Sequence, residues 1–216
     1  EPPVAAAPPA DQEPAPPTST EPGAPTLTAK AAPAPGITKP VVELRHEWKS
    51  FTSAQGLQQS ERKVRRLFEQ FQKDYPGAGA LRFLDHGDGT VTDTATGLTW
   101  QKDYTMDNKA SFALSLAEEA NQKRLGGFAD WRLPTTEELF FLYLSVEADP
   151  TIPLDLPGKN EGLWSSDKIT ILGQPDSGYA FAWFYKDLFA EGLALKVPDP
   201  SGSHTSHHVK AVRMAK

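Results

Sequence analysis

The chain has 216 residues, a net charge of −6 and no cysteine. That length suits one sizeable domain with appendages, or two small ones. The acidic balance disfavours a general affinity for nucleic acid or anionic membrane, and the absent thiols exclude disulfides, thiolate zinc sites and cysteine nucleophiles.

No run approaches the roughly 20 apolar residues of a membrane span. The sequence opens on Glu1 without an initiator Met, which suggests a processed or trimmed N-terminus. A secretory leader, or a lipoprotein leader with its cysteine, is compatible with that start.

Residues 1–40 hold twelve of the twenty prolines and ten alanines. Proline removes backbone donors and favours polyproline II, and the tract has too little apolar surface to offset ordering. It reads as an extended linker, a composition that fits an extracytoplasmic protein better than a cytosolic enzyme. A strand that docks along partner subunits is the alternative.

Residues 41–80 form a separate helical segment, with 41–76 helical. Val64, Leu67, Phe68 and Phe71 follow the i, i+3, i+4, i+7 spacing, Ser60 is a candidate N-cap, and Pro76-Gly77 is the stop. The spacing predicts an amphipathic helix that packs on the following domain or serves docking and oligomerisation. Barely two heptads are present, too few for a coiled coil. Arg62, Lys63, Arg65 and Arg66 form a basic face, solvated or turned to an acidic partner.

Residues 81–216 are the main domain. Leu81–Leu84, Thr90–Thr92 and Leu98–Trp100 are short strands separated by turn residues, a meander. Asp85, Asp88 and Asp93 invite a calcium-loop reading, but the twelfth position from Asp85 is Thr96, where a bidentate Glu is needed. Turn chemistry explains them. Residues 110–125 form a helix ended by Gly126-Gly127. In DWRLPTTEEL, Asp130–Leu139, Thr135 and Glu138 form a capping box ahead of a helix that runs to about Val146 and is apolar nearly all round, hence buried. Tyr179–Tyr185 alternates with the period of a strand, and HHVKAVRMAK closes with another. Strands bracketing two helices indicate α+β with an antiparallel sheet.

Three segments together resemble a known bacterial family. RFLDHGDGTVTDTATGLTWQKD is similar to its RF-x-D-x-GDGTV-x-D-x-x-TGL-x-W opening, GGFADWRLPTTEEL to its GG-x-x-DWRLPT-x-x-EL centre, and LWSSDK with AVRMAK to its WSS and terminal VR elements. The family is that of the C-terminal domain of the Legionella collagen-like adhesin, and the resemblance covers residues 81–216. It implies a C-type-lectin-like fold, two helices beside short antiparallel sheets, in surface, periplasmic or lipid-anchored bacterial proteins. The adhesin is similar to trimeric surface proteins that bind sulfated polysaccharides. Ala120 and Met214 stand where the family often has cysteines, so the resemblance implies a fold held by packing alone.

The function expected is a non-enzymatic binding module of the bacterial envelope, periplasmic, surface-exposed or secreted, recognising glycan or an envelope protein. The alternative is a structural accessory subunit, or a homo-oligomer, docking through the N-terminal tract and helix. No catalytic residue, cofactor or metal is expected. Gln174-Pro175-Asp176 resembles a lectin calcium motif but is three residues long. His204, His207 and His208 lie in a stretch read as an exposed loop. Formylglycine-generating enzymes share a related fold, but they work through cysteines that this chain lacks.

The ligand face is placed on loops between Asp149 and Pro175 and between Pro198 and His208. Trp164, Trp183, Tyr185, Lys159 and Asn160 are the candidate ligand contacts, and the three aromatics stack on sugar rings or else belong to the core. Asp130, Trp131, Arg132, Pro134, Thr135 and Glu138 are assigned structural roles.

Overall fold

The computed structural model describes residues 37–107, 110–157, 161–169, 179–184 and 207–215. It is α+β, with three helices and two sheets among those residues. One sheet is a short meander: β2 (Phe83–Asp85), β3 (Thr90–Asp93) and β4 (Leu98–Gln101) pair antiparallel in sequence order, and β9 (Val212–Met214) closes it on β4. The aspartates of the turns do what the sequence asks. Asp85 accepts from Gly87 N, Asp88 from Thr90 N and Oγ1, and Asp93 from Ala95 N and Thr96 Oγ1.

The second sheet is built on β6 (Glu161–Ile169), which pairs antiparallel with β7 (Tyr179–Phe184). Its first residues also pair with β8 (His207–Val209), itself paired with β5 (Thr105–Asp107), and its last residues pair with β1 (Ser50–Phe51). The β6–β8 and β6–β1 pairings are parallel, against the expected antiparallel sheet. The reason is topological: β8 and β1 reach β6 through long connections that no hairpin constrains.

Three helices fill the space around the sheets. Helix α1 (Ala54–Asp74) is shorter than the 41–76 expected, and its cap is Ser53, whose Oγ accepts from Gly56 N at 3.3 Å. Ser60 lies buried within the helix and donates to Glu137 at 2.9 Å, so its serine chemistry serves packing. Helix α2 spans Ala110–Gln122, followed by a 3-10 turn at Leu125–Gly127 where Gly126 and Gly127 take positive φ. Helix α3 (Thr136–Ala148) carries the capping box: Thr135 Oγ1 accepts from Glu138 N at 3.3 Å, and Glu138 Oε2 accepts from Thr135 N at 2.7 Å. Residues Thr136–Ser145 are buried without exception, as an all-round apolar helix requires.

A large core joins α1, α3 and the meander. Val64, Phe68 and Phe71 of α1 cluster with Phe140, Phe141 and Leu144 of α3 and with Val91, Leu98 and Trp100 of the meander. Phe68 and Phe71 meet the edge of Phe141 at centroid distances of 5.5 and 6.0 Å.

Residues 37–53 form an extended arm before α1, where helix was expected for 41–53. Ile37, Val42 and Leu44 are buried in the same core, so residues 37–40 belong with the globular part and not with the proline tract. Val41 N and Val42 N both donate to Ala95 O, at 2.8 and 2.9 Å. Pro40 sits where a Cβ on Gly97 would lie, at 2.6 Å from that position, and Gly97 holds φ +70°. Only glycine answers both demands. The arm then crosses the start of α3 and pairs as β1 with β6. It therefore ties one sheet to the other.

Candidate functional site

The Asp130–Leu139 segment is a second tie between the sheets. Arg132 and Val212 exchange N–H···O bonds of 2.9 Å, which bridges the segment to β9. Two residues on, Pro134 O accepts from Ser166 N at 2.7 Å, which bridges it to β6. Trp131 is buried with Ala120 and Ala211, and its Nε1 donates to Leu125 O at 3.1 Å. Asn121 holds the Trp131 backbone from both sides, accepting from N at 2.6 Å and donating to O at 2.9 Å. Asp130 pairs with Arg213, whose guanidinium also lies 3.7 Å from the Phe128 ring centroid.

The two glutamates after the cap each anchor a different piece of chain. Glu138 is fully buried; Arg132 donates to it twice, at 2.8 and 2.6 Å, and His46 Nδ1 lies 2.7 Å from Oε1. Burial pushes its carboxyl up, but Arg132, His46 and the Thr135 N–H outweigh that and hold it below the usual range. Glu137 accepts from Lys63 Nζ at 2.8 Å, Ser60 Oγ at 2.9 Å and Arg45 N at 3.2 Å, and these likewise overcome burial to lower its pKa. Asp167 of β6 completes the cluster. Arg45 grips it with both Nη atoms at 2.8 and 2.7 Å, and Thr136 N, Thr136 Oγ1 and Lys49 N donate to its oxygens. Three buried carboxylates thus fasten the arm, α1 and β6 to the start of α3. Chemically this is a clamp, with every carboxylate saturated by donors.

Two further buried cations were not singled out in the sequence. Arg82 donates to Asp93 and Ser145 and is enclosed by the rings of Phe71, Phe83 and Phe141. Lys210 donates to the carbonyls of Gln101, Lys102 and Asp103; burial pulls its pKa down to about 7. Hydrophobic periodicity carries no signal for a buried cation, because its partners come from distant elements.

The expected ligand contacts divide. Trp164 is 2% exposed, a core side chain on β6, the second of the two roles expected for it. Trp183 lies on β7, and Tyr185, Lys159 and Asn160 fall outside the described residues, as do Gln174–Asp176. His207 and His208 lie on β8, where an exposed loop was expected, and His208 is buried with its ring edge-on to Tyr104. His204 is outside the described residues. Among the described residues no group of three or more His, Cys, Asp or Glu is arranged to hold a metal, and no helix is long and apolar enough to cross a membrane.

Among the described residues two surface features stand out. On α1, Gln59, Arg62, Arg65, Arg66 and Glu69 line a shallow basic face, with Arg65 paired to Glu61. Elsewhere a groove of about 680 Å³ opens between the arm, α2 and the Trp131–Leu133 segment. Trp48 stands at its margin, 60% exposed, with the Lys168 ammonium 5.3 Å from its ring centroid.

The model of a protein family described as the Lcl C-terminal domain matches residues 89–213. The chain belongs to that family. The match confirms the resemblance read from the GDGTV, DWRLPT and WSS segments and marks this as an adhesin-associated domain. No curated protein and no solved structure is significantly similar to the chain. The Lcl C-terminal domain match contains α2, α3, Asp130–Leu139 and Asp167, but not Arg45, His46, Trp48 or Lys63. Half of the clamp and the exposed tryptophan lie on chain that precedes the family region.

Proposed function

We propose that this chain is a non-enzymatic recognition module of the bacterial cell envelope, acting outside the cytoplasm and binding glycan or protein in the manner of an adhesin head. The observation that carries the reading is membership of the Lcl C-terminal domain family together with the way its signature residues are used. Asp130, Arg132, Thr135 and Glu138 are spent on holding sheets and helix together, which leaves recognition to surface grooves and loops. Two helices beside short sheets, with β2 and β9 in one sheet, support a C-type-lectin-like head. The proline tract of residues 1–36 then serves as the spacer that projects it.

A second reading has one observation in its favour. The apolar side of α1 is consumed by α3, but Arg62 and Arg66 remain exposed on its outer side, which suits docking to an acidic envelope partner as an accessory subunit. The test uses the whole chain on a glycan array, in parallel with affinity capture from envelope fractions. Retention of a defined glycan or envelope protein supports the first reading. Capture of a protein that is lost with Arg62→Glu/Arg66→Glu, without glycan binding, favours the second. Retention of neither would sink both.

A further inference from the structure

We infer that the body of the domain carries a binding site for an extended peptide, and that the arm is its ligand, held in cis here and exchangeable for the arm of a second copy of this chain. This goes beyond the recognition reading above and does not depend on it.

The arm is gripped as a peptide ligand is, with main-chain bonds for affinity and side-chain pockets for selection. Val41 N and Val42 N donate to Ala95 O. Arg45 N donates to Glu137, and Arg45 O accepts from the Thr135 hydroxyl. Lys49 N donates to Asp167, and Lys49 O accepts from Lys168 N. Val42 and Leu44 are buried while Val41 and Glu43 are exposed, the alternation of a strand. Pro40 fits against Gly97, where a Cβ would collide with it. Two buried carboxylates then read two basic side chains in order. Asp167 takes the Arg45 fork at 2.8 and 2.7 Å, and Glu138 Oε1 lies 2.7 Å from His46 Nδ1. The ligand class is thus an extended segment of the form Pro-x-apolar-x-apolar-Arg-His, which is Pro40 to His46.

Ligand and site are separable parts of the chain. Ala95, Gly97, Thr135, Glu138 and Asp167 all lie within residues 89–213, the match to the family model, and the arm lies wholly before it. The arm joins α1 through Thr52 and Ser53, both exposed, directly after a β1–β6 ladder only two residues long. Its far end continues into residues 1–36, so the Thr52–Ser53 joint is its one covalent tie to its own head. Turning at that joint would deliver the arm to a neighbour. Reciprocal exchange of identical arms closes a two-fold dimer, in which each copy supplies Arg45 to the other's Asp167. The contacts are the same in cis and in trans, so protein concentration competes with the high effective concentration of the tethered arm.

The test first weakens the arm in cis. Full-length Arg45→Asp leaves the site intact but sets a carboxylate against Asp167. A fluorescent peptide of residues 37–53 should bind this variant and raise its melting temperature, at least about tenfold more tightly than the same peptide carrying Arg45→Asp. If Arg45→Asp does not fold alone, recovery of its folded circular dichroism by the peptide is the readout. Arg45→Lys, which keeps the charge and loses the two-pronged grip, is titrated beside it. In parallel, two batches of the unmodified chain with different labels are held together at high concentration and separated by size. The expected result is a dimer carrying both labels, whose formation the peptide suppresses. A peptide that neither binds nor restores either variant overturns the site. A chain that stays monomeric at every concentration overturns exchange with a second copy, and a dimer that the peptide leaves untouched overturns the arm as its cause.

Discussion

Asp167 shows how a single buried carboxylate can decide the junction of three chain segments. It has no exposed side-chain surface and takes donors from Arg45, Lys49 and Thr136. Asp167→Ala would leave the Arg45 guanidinium with only the more distant Glu137 carboxylate, 3.6 Å from Nε, so the loss should fall toward or below the lower end of the about 3–5 kcal/mol seen when a buried pair is broken. Urea denaturation should register that loss, and an unchanged midpoint would mean that Arg45 finds water instead. The neighbouring glutamates predict an acid limb. Both Glu137 and Glu138 have folded pKa values below their ordinary ones, so their contribution is complete above the unfolded value, about 4.3, and is lost as pH falls through the folded values. The melting temperature should therefore decline below about pH 4.3. In Glu137→Gln the starting stability should be lower and the decline shallower.

At the scale of elements, the start of α3 is where local and long-range demands coincide. Thr135 Oγ1 accepts from Glu138 N, closing the cap, and donates to Arg45 O at 2.8 Å, fixing the arm. Thr135→Val keeps the shape and removes both bonds; the expected loss is about 1–2 kcal/mol, with Thr135→Ser recovering most of it in chemical denaturation. The capping box, the buried character of α3, the meander and the turn roles of Asp85, Asp88 and Asp93 were legible in the sequence because each depends on residues a few positions apart. Arm and clamp were not. Arg45 and Asp167 are 122 positions apart, so nothing local marks them as partners. Ser53 is not marked as the cap of α1 by the sequence pattern, because the strongest apolar periodicity starts at Val64, well over two turns into the helix. Trp164 sits in a run that reads equally well as a surface or a core strand, and only the packing of β6 decides it.

For the molecule as a whole, the boundary of the family region is not the boundary of the folding unit. The match begins at residue 89, yet Ile37, Val42, Leu44, Val64, Phe68 and Phe71 share one core with α3. A fragment of residues 81–216 would expose Phe140 and Phe141 and would leave Glu137 and Asp167 without Lys63 and Arg45, while Glu138 would keep Arg132 but lose His46. It should lack a cooperative thermal transition, while residues 37–216 should melt cooperatively; circular dichroism and calorimetry on the two would check this. Cooperative melting of the short fragment would show that the arm and α1 are accessories.

The arm also sets how a load would travel through the head. Tension arriving from residues 1–36 would meet, in sequence, the Val41 and Val42 bonds to Ala95, the Arg45–Asp167 pair, and the short β1–β6 ladder before it reached α1. These attachments are in series along one strand, so they yield one after another and not together. Under such a pull the arm would be stripped from its N-terminal end, and Asp167 and Glu138 would lose Arg45 and His46 as it came away.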